Sequence, residues 1–97
     1  MKPDTFIIDQ IRKYFQDKPV LKAYLFGSYV RGTQNETSDV DILVELDYSK
    51  KIGLEFFKMQ NELEAILKHK VDLVSNEAIS PLIKPKILKE RRLVYEK

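Results

Sequence analysis

Two aspartates at the head of an apolar run have the spacing of a site for a divalent cation. Asp39 and Asp41 lie two positions apart, directly before the apolar residues 42–44. On a strand both side chains leave the same face, roughly 6–7 Å apart at the backbone. Because like charges repel by roughly 1–4 kcal/mol at about 4 Å in wet to partly wet surroundings, the pair needs a counter-charge. Magnesium suits this role where phosphates share the site, since it prefers oxygen ligands.

A third aspartate, Asp72, interrupts another apolar run at residues 70–74. If its strand lies beside that of Asp39 and Asp41, three carboxylates form one cluster. Such a cluster can hold two metal ions about 3.5–4 Å apart, which stabilise the attacking and leaving oxygens of phosphoryl transfer. Asp72 could instead accept the proton of an attacking hydroxyl. A purely structural interpretation places Asp39 at a turn and pairs Asp72 with a surface lysine.

A glycine–serine pair upstream predicts a turn that binds phosphate. Ten residues separate Ser28 from Asp39. Gly27 allows the backbone to approach a ligand or to adopt positive φ, and Ser28 offers a hydroxyl and an N–H group at the start of a helical turn. Arg31 can bind a phosphate with a planar pair of donors. Each residue alone also has a commonplace role, as a tight turn, a helix N-cap or a surface cation.

Helices and strands alternate along the chain and would position these residues. Apolar periodicity predicts helices over residues 4–16, 53–69 and 80–89, with a helical turn at 28–32. Strands are predicted over residues 20–26, 39–46, 71–74 and 92–95, and a polar loop over 33–38. The near-continuous apolar character of the second strand predicts burial on both faces. Pro85 must lie in the first turn of the last helix or kink it. The pattern indicates an α/β fold with a small mixed sheet flanked by helices.

Composition favours one globular domain over residues 1–97. Hydrophobic residues make up 43% and charged residues 33% of the 97, as in soluble proteins. No apolar run could span a bilayer and no signal peptide precedes the first helix, so a cytoplasmic location is expected and no membrane partner. The absence of cysteine excludes disulfides and thiolate metal sites. A net charge of +2 gives no reason to expect direct nucleic-acid binding.

The basic C-terminal part has two interpretations. It is either a solvated helix face or a docking surface for an acidic partner or a polyphosphate. The cations concerned are Lys84, Lys86, Lys89, Arg91 and Arg92.

Gly27-Ser28, ten intervening residues and Asp39-Val40-Asp41 together resemble the signature of the DNA polymerase β-like nucleotidyltransferase superfamily. The surrounding Arg31-Gly32 and residues 38–44 resemble the minimal nucleotidyltransferases, the MntA-type antitoxins. The resemblance covers residues 21 to about 74. One small departure is Val30, which stands where alanine is frequent.

This resemblance implies roles for the individual residues. A serine at the position of Ser28 helps to hold a nucleoside triphosphate, with Gly27 and Arg31 beside it. Acids at the positions of Asp39, Asp41 and Asp72 bind magnesium, which implies two Mg²⁺ ions and ATP as the substrate.

The resemblance also implies a reaction and a partner. Known members transfer AMP from ATP to tyrosine hydroxyls of a HEPN-type RNase toxin and release pyrophosphate, which implies a hetero-oligomer with such a toxin. Two alternatives stay open. The protein could neutralise its toxin by binding alone, or it could be a nucleotidyltransferase for RNA or a small molecule with a separate acceptor-binding subunit.

Overall fold

The structure, a computed structural model, describes residues 5–32 and 39–97, without the side chain of Arg31. It contains four helices and four strands in these residues, with one short 3₁₀ helix after the third strand. In chain order they are α1 (Thr5–Phe15), β1 (Val20–Phe26), α2 (Ser28–Arg31), β2 (Val40–Leu46), α3 (Glu55–Leu67), β3 (Val71–Ser75), the 3₁₀ helix (Asn76–Ala78), α4 (Lys84–Glu90) and β4 (Arg92–Glu96).

The four strands form one mixed sheet in the order β3-β2-β1-β4. Strand β1 is antiparallel to both of its neighbours, whereas β2 and β3 are parallel. The end of β1 therefore lies beside the start of β2, with Phe26 opposite Asp41, and the start of β3 lies on the other side of β2. The predicted α/β fold with a mixed sheet is confirmed.

One face of the sheet packs against α1 and α3, where most of the core lies. Both helices bury one apolar stripe because their buried residues recur every four positions, as an amphipathic helix requires. The stripes consist of Ile7, Ile11 and Phe15 on α1 and Met59, Leu63 and Leu67 on α3. Burying each large apolar side chain contributes about 1.5–3 kcal/mol, so these stripes hold the two helices to the sheet.

The opposite face carries a smaller cluster under α4. Ile87 of α4 packs there with Tyr24 of β1, Leu43 of β2 and Ile79. Because side chains alternate along a strand, Ile42 points to the larger core and its neighbour Leu43 to this cluster. The prediction that β2 is buried on both faces is thereby confirmed.

Side chains of α3 and α1 bind backbone groups of the two outer strands. On β3, the Val71 N–H donates to Glu64 Oε2 (3.0 Å) and the Leu73 N–H to Gln60 Oε1 (3.2 Å). On β4, Arg12 of α1 acts as a donor instead. Its Nε–H group donates to the Val94 carbonyl oxygen at 2.7 Å.

The last helix begins later than the predicted range of 80–89. The N–H groups of Ile83 and Lys84 both donate to the carbonyl oxygen of Ser80, so residues 81–83 form a turn before α4 starts. Pro85 lacks an N–H and cannot continue this hydrogen-bond pattern, but it is tolerated in the first turn of α4, one of its two predicted positions.

Smaller differences concern the other boundaries. Strand β2 starts at Val40, so Asp39 precedes it rather than opening it. Residue 4 and the predicted loop 33–38 lie outside the described residues. Within the described part of the chain, no helix is long and apolar enough to cross a membrane.

Candidate active site

Asp41 and Asp72 lie side by side on neighbouring strands. They are register partners in the parallel pair β2–β3, whose backbones run about 4.8 Å apart. Register partners point to the same face, which here is the face that α4 partly covers. Asp41 is half-buried and Asp72 is exposed. The structure therefore places β3 directly beside the strand that carries Asp41, as the three-aspartate hypothesis requires.

Asp39 does not join these two in a closed cluster. It lies one residue before β2 and is exposed. Across residues 5–32 and 39–97, no three carboxylates or histidines converge closely enough to hold a metal ion. The backbone thus supplies a pair of neighbouring carboxylates, with Asp39 two positions before Asp41 along the chain.

Gly27 brings the backbone of the glycine–serine turn against the Asp41 carboxylate. Its φ of 77° and ψ of −149° form a combination that side chains rarely allow. A Cβ atom at this position would lie only 2.1 Å from Asp41 Oδ2, so only glycine fits without displacement of that carboxylate. The positive φ that the sequence analysis allowed for Gly27 is thus observed, and the group that its backbone approaches in the structure is Asp41.

Ser28 opens the short helix α2 that follows this glycine. The Val30 N–H donates to the Gly27 carbonyl oxygen (3.1 Å) and the Gly32 N–H to the Ser28 carbonyl oxygen (3.0 Å). The N-cap of α2 is Gly27, so the alternative role of Ser28 as an N-cap does not apply. Ser28 is half-buried, and Arg31 is the last residue of α2.

A cavity of about 240 Å³ opens between this turn and α4. It combines apolar walls with two acids and one lysine, and its lining residues are Phe26, Gly27, Asp41, Ile83, Lys86, Ile87 and Glu90. The Glu90 carboxylate reaches the turn itself, because the Gly27 N–H donates to Glu90 Oε1 at 3.1 Å. Sequence reasoning missed Glu90, since no local pattern links it to a glycine 63 positions away.

Two tyrosines next to the glycine–serine turn, Tyr24 of β1 and Tyr29 of α2, contact residues from other parts of the chain. Arg91 lies over the ring of Tyr24, 4.1 Å from its centre, and the Tyr24 hydroxyl donates to Glu45 Oε2 at 3.2 Å. Burial raises the pKa of Tyr24, with a further contribution from Glu45, while Arg91 opposes this shift. Tyr29 of α2 is buried, and its hydroxyl lies 3.5 Å from Nδ1 of His69, which precedes β3.

The comparison with known families decides the assignment. Residues 8–94 match the nucleotidyltransferase domain family. The chain belongs to this family. The assignment to the nucleotidyltransferases, and to enzymes, that the glycine–serine and aspartate motifs indicated is thereby confirmed.

Several named proteins are similar over two thirds or more of the chain. MJ0128 of Methanocaldococcus jannaschii is 42% identical over 100 residues, which cover 98% of this chain and 99% of that protein. MJ0435 of the same organism is 45% identical over 71 residues, or 73% of this chain and 75% of that protein. Both carry a provisional name as protein adenylyltransferases. The protein adenylyltransferase MntA of Thermococcus cleftensis is 42% identical over 66 residues, which cover 68% of this chain and 66% of that protein.

Solved structures of the family share the fold. A chain from the crystal structure of a toxin–antitoxin with AMP-PNP superposes with a TM-score of 0.78 at 26% identity, covering 93% of this chain and 73% of that chain. A structure provisionally described as a minimal nucleotidyltransferase gives a TM-score of 0.74 at 26% identity, covering 88% and 86%.

Proposed function

We propose that this nucleotidyltransferase is an antitoxin that transfers AMP from ATP to a tyrosine hydroxyl of a HEPN-type toxin and releases pyrophosphate. One observation carries the proposal: the backbone of the glycine–serine turn lies against the carboxylate of Asp41, and Asp72 is in register beside it. One ligand could therefore contact both the turn, which can bind phosphates, and the two carboxylates. The adenylyltransferase names of similar proteins support the choice of AMP as the transferred group.

The turn is the proposed binding site for the triphosphate. Gly27 lets phosphate oxygens approach the main chain, and Ser28 offers its hydroxyl beside them. Arg31 would add a planar pair of charged donors from the end of α2. The AMP-PNP in the toxin–antitoxin structure supports an ATP-like donor.

The aspartates are the proposed ligands of magnesium. Asp39, Asp41 and Asp72 present the hard oxygen donors that this cation prefers, and the register of β2 and β3 sets two of them side by side. When bound, magnesium would neutralise the charge that builds up on the phosphates and on the departing pyrophosphate. Two ions remain part of the proposal, as the family resemblance implies, although the described carboxylates do not form a closed cluster of three.

The proposed chemistry is an in-line displacement at the α-phosphorus. A bond forms between the tyrosine oxygen and this phosphorus, and the bond from the phosphorus to the oxygen that bridges to the β-phosphate breaks. Pyrophosphate leaves with that electron pair. The proton of the tyrosine hydroxyl passes to the carboxylate of Asp72, which is the more exposed of the paired acids and so the more accessible to an incoming side chain.

The acceptor hydroxyl belongs to the partner in this proposal, so the working unit is a hetero-oligomer. The toxin–antitoxin assembly of the similar solved structure supports this arrangement. Because ATP is the donor, the cytoplasm is the expected location.

Labelled ATP can test the proposal. The protein is incubated with magnesium, the product of the neighbouring gene and ATP labelled at either the α- or the γ-phosphate. We expect the α-label alone to appear on tyrosine of the partner, and to disappear with EDTA or with Asp41→Asn. Glu96→Gln serves as a matched control, because Glu96 lies on the outer strand β4 and forms a surface ion pair with Lys22 of β1.

Other outcomes would point to the alternatives. Neutralisation of the partner that survives Asp41→Asn, without any transfer of label, would refute the enzymatic proposal in favour of binding alone. Label on RNA or on a small molecule would replace the protein acceptor. Transfer of the γ-label would exclude an adenylyl transfer.

A further inference from the structure

Helix α4 reaches the glycine–serine turn through its last residue. The carboxylate oxygen Oε1 of Glu90 accepts a hydrogen bond from the Gly27 N–H at 3.1 Å, and both residues line the cavity that also contains Asp41. The contact joins parts of the chain 63 positions apart.

The backbone of Glu90 is fixed against the sheet by the residues around it. Ile87, one turn before it, is buried in the cluster that contains Tyr24 and Leu43. The next residue, Arg91, lies over the Tyr24 ring at 4.1 Å. Contacts on both sides of Glu90 therefore fix α4 against β1 and β2. As a result, the Glu90 carboxylate is a hydrogen-bond acceptor whose backbone is held in place.

Gly27 needs such an acceptor because glycine does not restrict its own backbone. Without a Cβ atom it can adopt positive or negative φ with similar ease. Only one of these conformations would direct the Ser28 hydroxyl toward a triphosphate beside Asp41. A side chain could not fix the conformation, since a Cβ atom would collide with Asp41 Oδ2. A hydrogen bond to the Gly27 N–H can select one conformation and leaves the space beside Asp41 open.

We propose that Glu90 is a positioning residue that holds Gly27 and thereby directs Ser28 toward the triphosphate beside Asp41. This inference rests on the proposed function. The role requires the oxygen that accepts the hydrogen bond and does not require the negative charge, which would repel a triphosphate. The proposal therefore separates the geometry of Glu90 from its charge.

Three substitutions distinguish these properties. Glu90→Gln keeps an oxygen acceptor at the same reach and removes the charge. Glu90→Asp keeps the charge but withdraws the carboxylate by one methylene group. Glu90→Ala removes both, and Glu96→Ala is the matched control on β4, since Glu96 contacts Lys22 at the surface.

Binding of AMP-PNP with magnesium is measured for each full-length variant by calorimetry, together with the thermal midpoint and the amide hydrogen exchange of Gly27. We expect Glu90→Gln and Glu96→Ala to bind within about threefold of the wild type. Glu90→Asp and Glu90→Ala should bind at least about tenfold more weakly and exchange the Gly27 amide at least about tenfold faster. A tenfold change corresponds to about 1.4 kcal/mol.

Each remaining outcome overturns the inference. Wild-type affinity in Glu90→Ala would show that the turn needs no support, and an equal loss in Glu90→Gln and Glu90→Ala would show that the charge matters. If Glu90→Ala does not fold, the comparison of Glu90→Gln with Glu90→Asp decides. If the wild type itself does not bind AMP-PNP, both the proposed function and this inference are refuted. If the wild type binds and the variants do not follow the expected order, only this inference is refuted.

Discussion

Asp41 and Asp72 face each other in register across the parallel strands β2 and β3. Their backbones are about 4.8 Å apart, so both carboxylates can reach a common point above the sheet. Like charges directly opposite on neighbouring strands are destabilising. The placement therefore favours function at the expense of stability. A substitution of Asp72 should accordingly change activity and folding stability in different directions.

Asp72→Asn tests this expectation. We expect it to lower AMP transfer by more than the roughly 10–100-fold that is typical of residues that only support a metal ligand. The thermal midpoint should stay the same or rise, because one of two neighbouring like charges is removed. Transfer assays and thermal unfolding of the same preparation measure both effects. Unchanged transfer by a folded Asp72→Asn protein would contradict the role assigned to Asp72.

Gly27→Ala should reduce both stability and activity. The new Cβ atom would have to displace the Asp41 carboxylate, and the backbone would be strained at φ 77°. We expect the free energy of unfolding in urea to fall by about 2–3 kcal/mol. Gly53→Ala is the matched control, since Gly53 also has positive φ (46°) but no neighbouring atom lies within 4 Å of the place that a Cβ atom would take.

Gly53→Ala should cost only about 1 kcal/mol and leave nucleotide binding intact. Equal losses of stability at the two glycines would mean that the backbone angle, and not the contact with Asp41, makes Gly27 necessary.

Lys86 is the cation that lines the cavity beside Gly27 and Asp41 among the described residues. Lys86→Ala should weaken binding of AMP-PNP about tenfold, or about 1.4 kcal/mol, because a charge near the phosphates is lost. The difference should shrink as salt is raised. Lys84→Ala is the control, because Lys84 is two residues earlier and so about 200° away around α4. Equal effects of both substitutions would indicate a general effect of positive charge.

A hydrogen bond between two helices should make stability depend on pH in the alkaline range. The Tyr14 hydroxyl on α1 donates to Glu62 on α3. Burial, and then this bond, raise the pKa of Tyr14 above its ordinary value of 10.0. In the folded state the phenol keeps its proton to higher pH than in the unfolded chain, so the stabilisation is complete below about pH 10 and is lost as pH rises beyond it.

Tyr14→Phe should therefore lower the free energy of unfolding by about 1 kcal/mol at pH 8 and by less at about pH 10.5. Urea unfolding at the two pH values measures this. Tyr48→Phe is the comparison: Tyr48 also donates to a glutamate, Glu77, which raises its pKa, but the pair is exposed, so a smaller difference is expected. The same difference between wild type and Tyr14→Phe at both pH values would contradict the linkage.

The sequence was sufficient to propose those parts of the site that are adjacent along the chain. Gly27, Ser28, Asp39 and Asp41 can be proposed from residue types and spacing, because a tight turn and a buried strand leave local patterns. The placement of Asp72 was conditional, since spacing cannot tell which strands are neighbours. The structure supplied that condition by pairing β3 with β2.

Other features depended on contacts that leave no local pattern. Glu90 looks like any surface acid in a basic helix, and the packing of Ile87 and Arg91 brings it to Gly27. The late start of α4 followed from the way the Ser80 carbonyl oxygen is shared by two N–H groups before Pro85. The first feature depends on a contact between residues far apart in the sequence, and the second on the hydrogen bonds of a local turn.

The helix side chains at the sheet margins affect how other molecules can associate with this protein. Glu64 and Gln60 occupy N–H groups of β3, and Arg12 occupies a carbonyl group of β4. An incoming extended segment would need those same groups to lengthen the sheet. Strand addition is thus disfavoured at β3, where two N–H groups are occupied, and at Val94 on β4. We therefore expect a partner to be recognised through side chains, which can change between related pairs without altering the fold.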